Sequence, residues 1–492
     1  MAEEVSHKTA FSWSNFLTCF LVSIGCVGFG YPSAMTAPML AKASFPEFTG
    51  LGDVEGIHKD KSALAGSIGG IFQAGAVFGV LLSTQITDRF FQGMGSWGFL
   101  SVAPAFTAEL SHPAYRGLTS GLCGVMLGLG YATASYFGLA FRYTDNKAAQ
   151  WRGPSGLAMV WSVIVLCALP FIPESPRFLL MHGRKDEAWK VVARLHASKR
   201  DPEQVFAREE FYQMQVQAEQ DRSKPASWRV LLSKAHRKRV MLACGLTVLG
   251  QSTAVLVIQN YAPIFYKALG FDSHQTLEIQ SGRDSIAFFG NIVGALLLDR
   301  FGRRRLLLIG VFACTVCVSI NTAMVAEFTG TMNSAGLGVG IAALFVYLCF
   351  YACCVDAPMF VFIAEIFPNH LRAKGISLSI AALALSDILY LQVAPYAFAH
   401  VGWKFFLLFI ILSILGWIWL YLLFPETKGV PLEEMADILG EKTEVAVHMS
   451  DLKFDREAGV TVVHGEGTKV DILPKPGSLP QHVEQIGVKS QV

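Results

Sequence analysis

The sequence is poor in charged residues. Asp, Glu, Lys and Arg make up 16% of its 492 residues, and the net charge is only +2, whereas a soluble domain of this length carries about 25% charged residues. The charge balance therefore gives no reason to expect nucleic acid as a partner. Hydrophobic residues make up 52% of the chain and the mean hydropathy is +0.43, which together predict an integral protein of the lipid bilayer.

Clustered metal ligands and catalytic groups are also lacking. All ten cysteines lie within apolar runs, and Cys314 and Cys317, which have metal-site spacing, have neither a second pair nor a histidine nearby. The sequence contains no nucleophile–base pair and no glycine-rich phosphate loop. We therefore expect no enzyme activity, no metal site and no cofactor.

Long apolar runs are what the chain has instead. A membrane-spanning helix needs about 20 apolar residues. Scanning with that length predicts spans at 11–35, 63–86, 90–106, 118–141, 157–171, 240–266, 286–298 (extended at its start), 306–326, 336–366, 376–398 and 403–424. The predicted organisation is an N-terminal helical bundle at 1–173, a cytoplasmic central loop at 174–239, a C-terminal six-helix bundle at 240–424 and a cytoplasmic tail at 425–492.

Charged signatures recur at matching points of the two halves, each at the end of an apolar run. PESPR at 173–177 closes the first half and PETKG at 425–429 closes the second. The matched charges are Glu109 and Arg116 with Glu365 and Arg372, Asp88 and Arg89 with Asp299, Arg303 and Arg304, and Glu174 and Arg177 with Glu426. Duplicated halves of this kind are typical of secondary transporters, which bind their solute near the bilayer midplane.

The distribution of Lys and Arg places the central segment, the turns at Arg303 and Arg372, and the tail in the cytoplasm. Five spans cannot join a cytoplasmic N-terminus to a cytoplasmic central segment. The discrepancy lies at 88–91, where Asp88 and Arg89 run directly into the next apolar run. We therefore predict that one span is missing there, and that segment 90–106 is inverted or distorted or that the junction is frayed.

Several motifs in order resemble the sugar-porter family of the major facilitator superfamily, most closely its fungal members. They are PESPRFLL at 173–180, DRFGRRRLLLIG at 299–310, AEIFPNHLRAKG at 364–375 and PETKGVPLEEM at 425–435. The resemblance covers about residues 15–440. It implies an all-α membrane protein with the major facilitator fold, whose two six-helix bundles alternate in access, here with 5 + 6 spans because the third is absent. A skipped exon or a faulty gene model is our leading explanation.

The resemblance also implies a network of charges at the cytoplasmic span ends. Glu365 and Arg372 are expected to pair with the Arg303–Arg304 cluster, and Glu109 and Arg116 with Asp88 and Arg89. Such pairs can latch one state and break as the bundles rock. The remaining expected members are Asp299, Glu174, Arg177 and Glu426. The alternative is that these charges only set the topology.

The family's hydroxyl-binding side chains are mostly replaced in this sequence. Gln251 is retained, Phe360 stands at a Trp position, and Gln259, Asn260 and Tyr261 lie close by. A desolvated hydroxyl needs a hydrogen-bond partner, so an ordinary hexose is disfavoured. We expect a larger or more apolar solute, such as a glycoside or a secondary metabolite.

Two aspartates lie deep within predicted spans, near the bilayer centre. Ionisable groups there are candidates for function because they are costly in lipid. Asp387 is a candidate for solute binding, and both Asp356 and Asp387 are candidates for proton coupling; the alternative is that they only hydrogen-bond to neighbouring helices. The first-span acid of the family is missing here, so uniport and proton symport both stay open.

The sequence thus predicts a monomeric plasma-membrane carrier of a sugar-like or related small organic solute. Two alternatives remain. A nutrient sensor would use the same fold to bind the solute without moving it, and a truncated product would have no function.

Overall fold

The computed structural model describes residues 12–41, 92–112, 114–197, 204–268, 271–328 and 334–439, together with five short strands outside these ranges. The predicted span 63–86 and the junction 88–91, with Asp88 and Arg89, lie outside the described residues. The missing third span and the 5 + 6 division of spans therefore stay predictions, and the division into four domains also stays a prediction.

The described part of the first half contains four apolar helical segments. The first consists of α1 (Trp13–Ser23), a 3-10 turn (Ile24–Cys26) and α2 (Val27–Ala41). The others are α3 (Gln92–Leu110), α4 (Arg116–Ala140) and α5 (Ala149–Ala168). Ser12 caps α1 by accepting a hydrogen bond from the Asn15 amide. Apolar side chains of α5 such as Val163 and Leu166 stay exposed, as expected of a helix that faces lipid.

Helix α3 runs antiparallel to α1 and α2, with its C-terminal end on the basic side. Asn15 Nδ2 donates to the Leu110 carbonyl at 2.7 Å, and the rings of Phe29 and Trp97 meet edge to face at 4.7 Å. Of the alternatives predicted for segment 90–106, inversion is therefore wrong, whereas the frayed junction lies outside the described residues. Its C-terminal end carries Glu109, which the structure places among basic residues of the second half.

The polar central segment forms helices rather than a loop. These are α6 (Pro176–Met181), α7 (Lys185–Leu195), α8 (Val205–Arg222) and α9 (Trp228–Leu231). Pro176 starts α6 at a position where a missing N–H costs nothing, and Ser175 caps it. The helices enclose a small apolar core of their own, formed by Leu179, Leu180, Ala188, Val192, Ala207, Phe211, Met214 and Ala218.

The second half follows the predicted spans closely. It comprises α10 (Arg237–Gln251), α11 (Val255–Ala268), α12 (Ser273–Phe301), α13 (Arg303–Phe328), α14 (Ser334–Tyr351), a π-helical turn (Ala352–Asp356), α15 (Ala357–Glu365), α16 (Asn369–His400), α17 (Phe405–Leu423) and the short α18 (Met435–Ile438). Among the described residues, eight helical segments are long and apolar enough to cross a membrane.

The five strands are short and antiparallel. Strand β1 (Gly52–Asp53) pairs with β2 (Gly56–Ile57). In the tail, β3 (Leu452–Asp455) pairs with β4 (Val460–Val463), which also pairs with β5 (Lys469–Val470).

The two halves meet most closely where α4 packs along α12. Helix α4 presents a row of glycines on one face, at spacings of three and four residues. A Cβ atom at Gly121 would lie 2.9 Å from Ala295 Cβ, and one at Gly124 would lie 3.2 Å from Asn291 Oδ1. Small residues let helix backbones approach each other in lipid, so this row fixes the distance between the halves.

We expect Gly121→Ala to lower the melting temperature of the purified protein in detergent. The new methyl group overpacks the α4–α12 contact, at a cost of about 1–3 kcal/mol. Gly156→Ala is the matched control, because no described atom lies within 4 Å of a Cβ at that position on α5. Both substitutions gain helix propensity of about 1 kcal/mol, so equal melting temperatures for the two variants would contradict the close contact.

Candidate functional site

A cavity of about 50 Å³ lies between the two halves. The first half lines it with Phe29, Ser33, Leu100, Leu127 and Tyr131. The polar residues of the second half that line it are Gln251, Gln259, Asp284, Asn291, Asp356 and Asp387. This volume holds about three waters, so a larger solute can enter only when the lining residues move apart.

Most of the predicted solute-site residues reach this cavity. Gln251, Gln259, Phe360, Asp356 and Asp387 all line it.

The other two predicted residues point elsewhere. Asn260 Nδ2 donates to the Leu256 carbonyl of its own helix at 3.1 Å. The Tyr261 hydroxyl donates to the Leu391 carbonyl of α16 at 2.9 Å.

A break between α10 and α11 presents Gln251 to the cavity. Helix α10 ends at Gln251, and Ala254 adopts a φ of 77°, which is rare for a residue with a side chain. Two hydrogen bonds hold the break in place. The Ser252 and Tyr390 hydroxyls lie 2.7 Å apart, and the Thr253 and Tyr347 hydroxyls lie 2.9 Å apart. Backbone strain of this kind clusters at binding sites.

The π-helical turn presents Asp356. Pro358 has no N–H with which to continue the α-helical hydrogen bonding, and the five residues before α15 widen into the π form. Such turns are frequent at functional sites. Asn291 of α12 is the side-chain hydrogen-bond partner of Asp356.

The sequence reasoning missed Asp284, Asn291, Tyr131 and Tyr351. Asp284 lies near the middle of α12; the span predicted there was 286–298 with an extension at its start, and Asp284 was not singled out. The signal was available, because Arg283 and Asp284 are flanked on both sides by sequence that continues one long helix (Ser273–Phe301). In the structure Arg283 Nη2 lies 3.2 Å from Asp284 Oδ1, with both side chains buried.

On the basic side, which the positive-inside rule assigns to the cytoplasm, Asp299 joins the two halves. Its two carboxylate oxygens accept hydrogen bonds of 2.8 Å from the backbone amides of Gly117 and Leu118. These amides begin α4, whose N-cap Tyr115 makes no side-chain capping bond. A carboxylate from the second half therefore caps a helix of the first half and faces the positive end of its dipole.

Further contacts join the halves beside this cap. Arg372 Nη1 lies 3.2 Å from Glu109 Oε1, and Arg116 donates to the Val430 carbonyl at 2.9 Å. Arg177 lies 2.8 Å from Glu433. Burial acts to lower the pKa of Arg177, but the Glu433 carboxylate outweighs burial and raises it, so the guanidinium stays charged.

The remaining predicted charges act within one half. Arg303 Nη2 lies 2.8 Å from Glu365 Oε1, and Glu426 accepts from the Arg303 and Arg304 amides at 2.9 and 3.2 Å. The Arg304 side chain donates to the Tyr421 carbonyl, and Glu174 pairs with Arg184 on the exposed surface. The expected grouping of Arg372 with Arg303 is therefore replaced by its pairing with Glu109.

On the opposite side of the cavity, α4 and α12 meet again. The Ser135 hydroxyl donates to Asp284, and the hydroxyls of Tyr136 and Ser285 lie 3.0 Å apart. Cross-half contacts thus flank the cavity towards both ends of α4.

Residues 86–439 match the profile of the family described as "Sugar (and other) transporter". This chain belongs to the sugar transporter family. Its relatives are transporters, so this multi-pass membrane protein is a transporter of small molecules and not an enzyme.

Two relatives of this sugar transporter family member come from fungi. It is 25% identical over 477 residues to the MFS-type transporter criB of Aspergillus cristatus, covering 89% of this chain and 96% of the relative. It is 28% identical over 441 residues to a high-affinity glucose transporter of Kluyveromyces lactis, covering 85% and 77%.

Among solved structures, the proton:xylose symporter XylE bound to 6-bromo-6-deoxy-D-glucose superimposes with a TM-score of 0.72. The sequence identity is 18%, over 87% of this chain and all of XylE. The prediction of an all-α membrane protein with the major facilitator fold is confirmed.

We expect Glu109→Gln to open the cavity towards the basic side, because it removes the charge that pairs with the buried Arg372 guanidinium. The measurement is the alkylation rate of Leu100→Cys by a membrane-impermeant reagent added on that side. The exchanged pair Glu109→Arg with Arg372→Glu should restore slow alkylation. Glu174→Gln is the control, because its ion pair with Arg184 is exposed and exposed ion pairs contribute little. Fast alkylation in all variants, or in none, would contradict the role of the Glu109–Arg372 pair in holding the basic side closed.

Proposed function

We propose that this protein carries a sugar-like or related small organic solute across the plasma membrane, as a monomer, by alternating access. The observation that carries this proposal is the small central cavity, which both halves line and which cross-half contacts flank on both sides. A site of this kind near the membrane midplane is what rocking bundles expose to one side at a time.

The cross-half contacts supply the two-state element. On the basic side, the Asp299 cap and the Glu109–Arg372 pair hold the halves together. On the opposite side, the Ser135–Asp284 hydrogen bond does so. Opening one side breaks the contacts on that side and keeps the contacts on the other side. A small change at the site can therefore shift the equilibrium between the two states.

The cavity lining supports a solute with an apolar portion. Phe29, Phe360 and Leu100 form apolar walls, while Gln251 and Gln259 supply hydrogen-bonding groups. Each desolvated hydroxyl needs such a partner, so the lining favours a solute with fewer hydroxyls or more apolar surface than a hexose. The names of the relatives, a glucose transporter and a xylose symporter, support the sugar-like class.

We assign proton coupling to the buried aspartates. Asp387 is 2% exposed and its Oδ1 accepts no hydrogen bond from any described atom. A carboxylate so placed in an apolar cavity is costly unless it is paired or protonated, so binding and release of a proton can accompany solute movement.

The test is uptake by the full chain in proteoliposomes, with radiolabelled D-glucose, phenyl β-D-glucoside and D-glucosamine. We expect uptake of at least one solute above that of protein-free vesicles, accompanied by a pH change inside the vesicles. Asp387→Asn should abolish the pH change because it keeps the shape but cannot ionise.

Binding without uptake would contradict transport and favour a sensor. A full-rate pH change in Asp387→Asn would contradict the coupling role alone, because uptake itself would persist. Ser386→Ala is the control: its hydroxyl donates to Leu383 of its own helix, so both readouts should be unchanged.

A further inference from the structure

Three carboxylates line one small cavity that otherwise has largely apolar walls. Asp284, Asp356 and Asp387 are 1%, 7% and 2% exposed. Only Asp284 has a cationic partner, Arg283, whose guanidinium also donates to the carbonyls of Ile258 and Gln259. The described residues that line the cavity include no Lys, Arg or His, so Asp356 and Asp387 lack a cation.

The polar atoms left without partners around this cavity are all acceptors. Gln251 Oε1, Asn291 Oδ1 and Asp387 Oδ1 are buried and receive no hydrogen bond from any described atom. They come from three different helices, α10, α12 and α16. A hydroxyl brings one donor together with lone pairs that need donors themselves, whereas an ammonium brings three donors and no acceptor. Each of these three oxygens has no donor among the described atoms, and an ammonium would supply donors.

Aromatic rings stand beside the two uncompensated carboxylates. Tyr131 and Tyr351 each interact electrostatically with both Asp356 and Asp387, and Phe29 and Phe360 line the same cavity. Ring faces attract cations, by about 2 kcal/mol when the site is desolvated. Acidic groups among aromatic walls are therefore suited to an organic cation.

We propose that the solute of this site carries a protonated amine on a sugar-like or apolar body. The ammonium donates one N–H to Asp356 and one to Asp387, and its third N–H goes to the acceptor oxygens of Gln251 and Asn291. This assignment rests on the function proposed above and narrows it to one class of solute. It also accounts for acids lining a cavity in which the hydroxyl-binding side chains expected of a hexose site are mostly replaced.

The test compares matched solutes that differ in one group. The pairs are D-glucosamine with D-glucose, and 2-phenylethylamine with 2-phenylethanol. Affinities for the purified full chain in detergent are taken from the rise of the melting temperature with solute concentration. We expect the amine of at least one pair to bind at least about tenfold more tightly than its hydroxyl partner, because charge-assisted hydrogen bonds are stronger than neutral ones.

Asp387→Asn and Asp356→Asn should each weaken amine binding by about 10- to 100-fold, the effect of losing one charged hydrogen-bond partner. Binding of the hydroxyl partners should be unchanged, and Ser386→Ala should bind the amine like the native chain. If one Asn variant does not fold, the other and Asp387→Glu, which keeps the charge, give the same comparison.

Equal or tighter binding of the hydroxyl partner in both pairs, no effect of either amine, or amine selectivity that survives both Asn variants would overturn the assignment. Uptake separates it from the proposed function. Uptake of the hydroxyl solutes alone would overturn the assignment of an amine solute and leave the proposed transport function intact. Amine binding without uptake would contradict transport and leave the amine assignment intact.

Discussion

The carboxylate of Asp299 at the start of α4 is the contact on which the arrangement of the two halves depends. Two backbone amides of the first half donate to one side chain of the second. A helix N-terminus leaves amides without partners, and α4 has no capping side chain of its own. The first half thus completes one of its helices only when the second half is docked.

The charges around Asp299 hold that carboxylate in place. Arg303 Nη1 lies 3.5 Å from Asp299 Oδ1, and Arg303 Nη2 lies 2.8 Å from Glu365 Oε1. Glu426 in turn caps the start of α13 at the Arg303 amide. Separating one partner from a buried ion pair leaves an uncompensated charge, so this cluster moves as a unit. The structure can therefore open at the hydrogen bonds between Asp299 and α4.

The sequence predicted those features that depend on composition and spacing along one helix. The apolar runs placed the spans, and the depth of Asp356 and Asp387 within their spans placed both at the central cavity. Pairings between distant segments were less accessible. Arg372 meets Glu109, 263 positions away, and nothing in either helix alone favours that partner over Arg303's cluster. Asp284 was missed because its charge, beside that of Arg283, is typical of a linker rather than of a transmembrane helix. The central helices were missed because they contain many polar residues and only a small apolar core.

Hydrogen–deuterium exchange in the native chain and in Asp299→Ala tests most directly whether this cap closes the cavity. The account predicts faster exchange in the variant at two places: the amides of Gly117 and Leu118, which lose their acceptor, and the segment around the π-helical turn (Ala352–Asp356), which water reaches once the basic side opens. Faster exchange confined to the start of α4, with the π-helical turn unchanged, would contradict it.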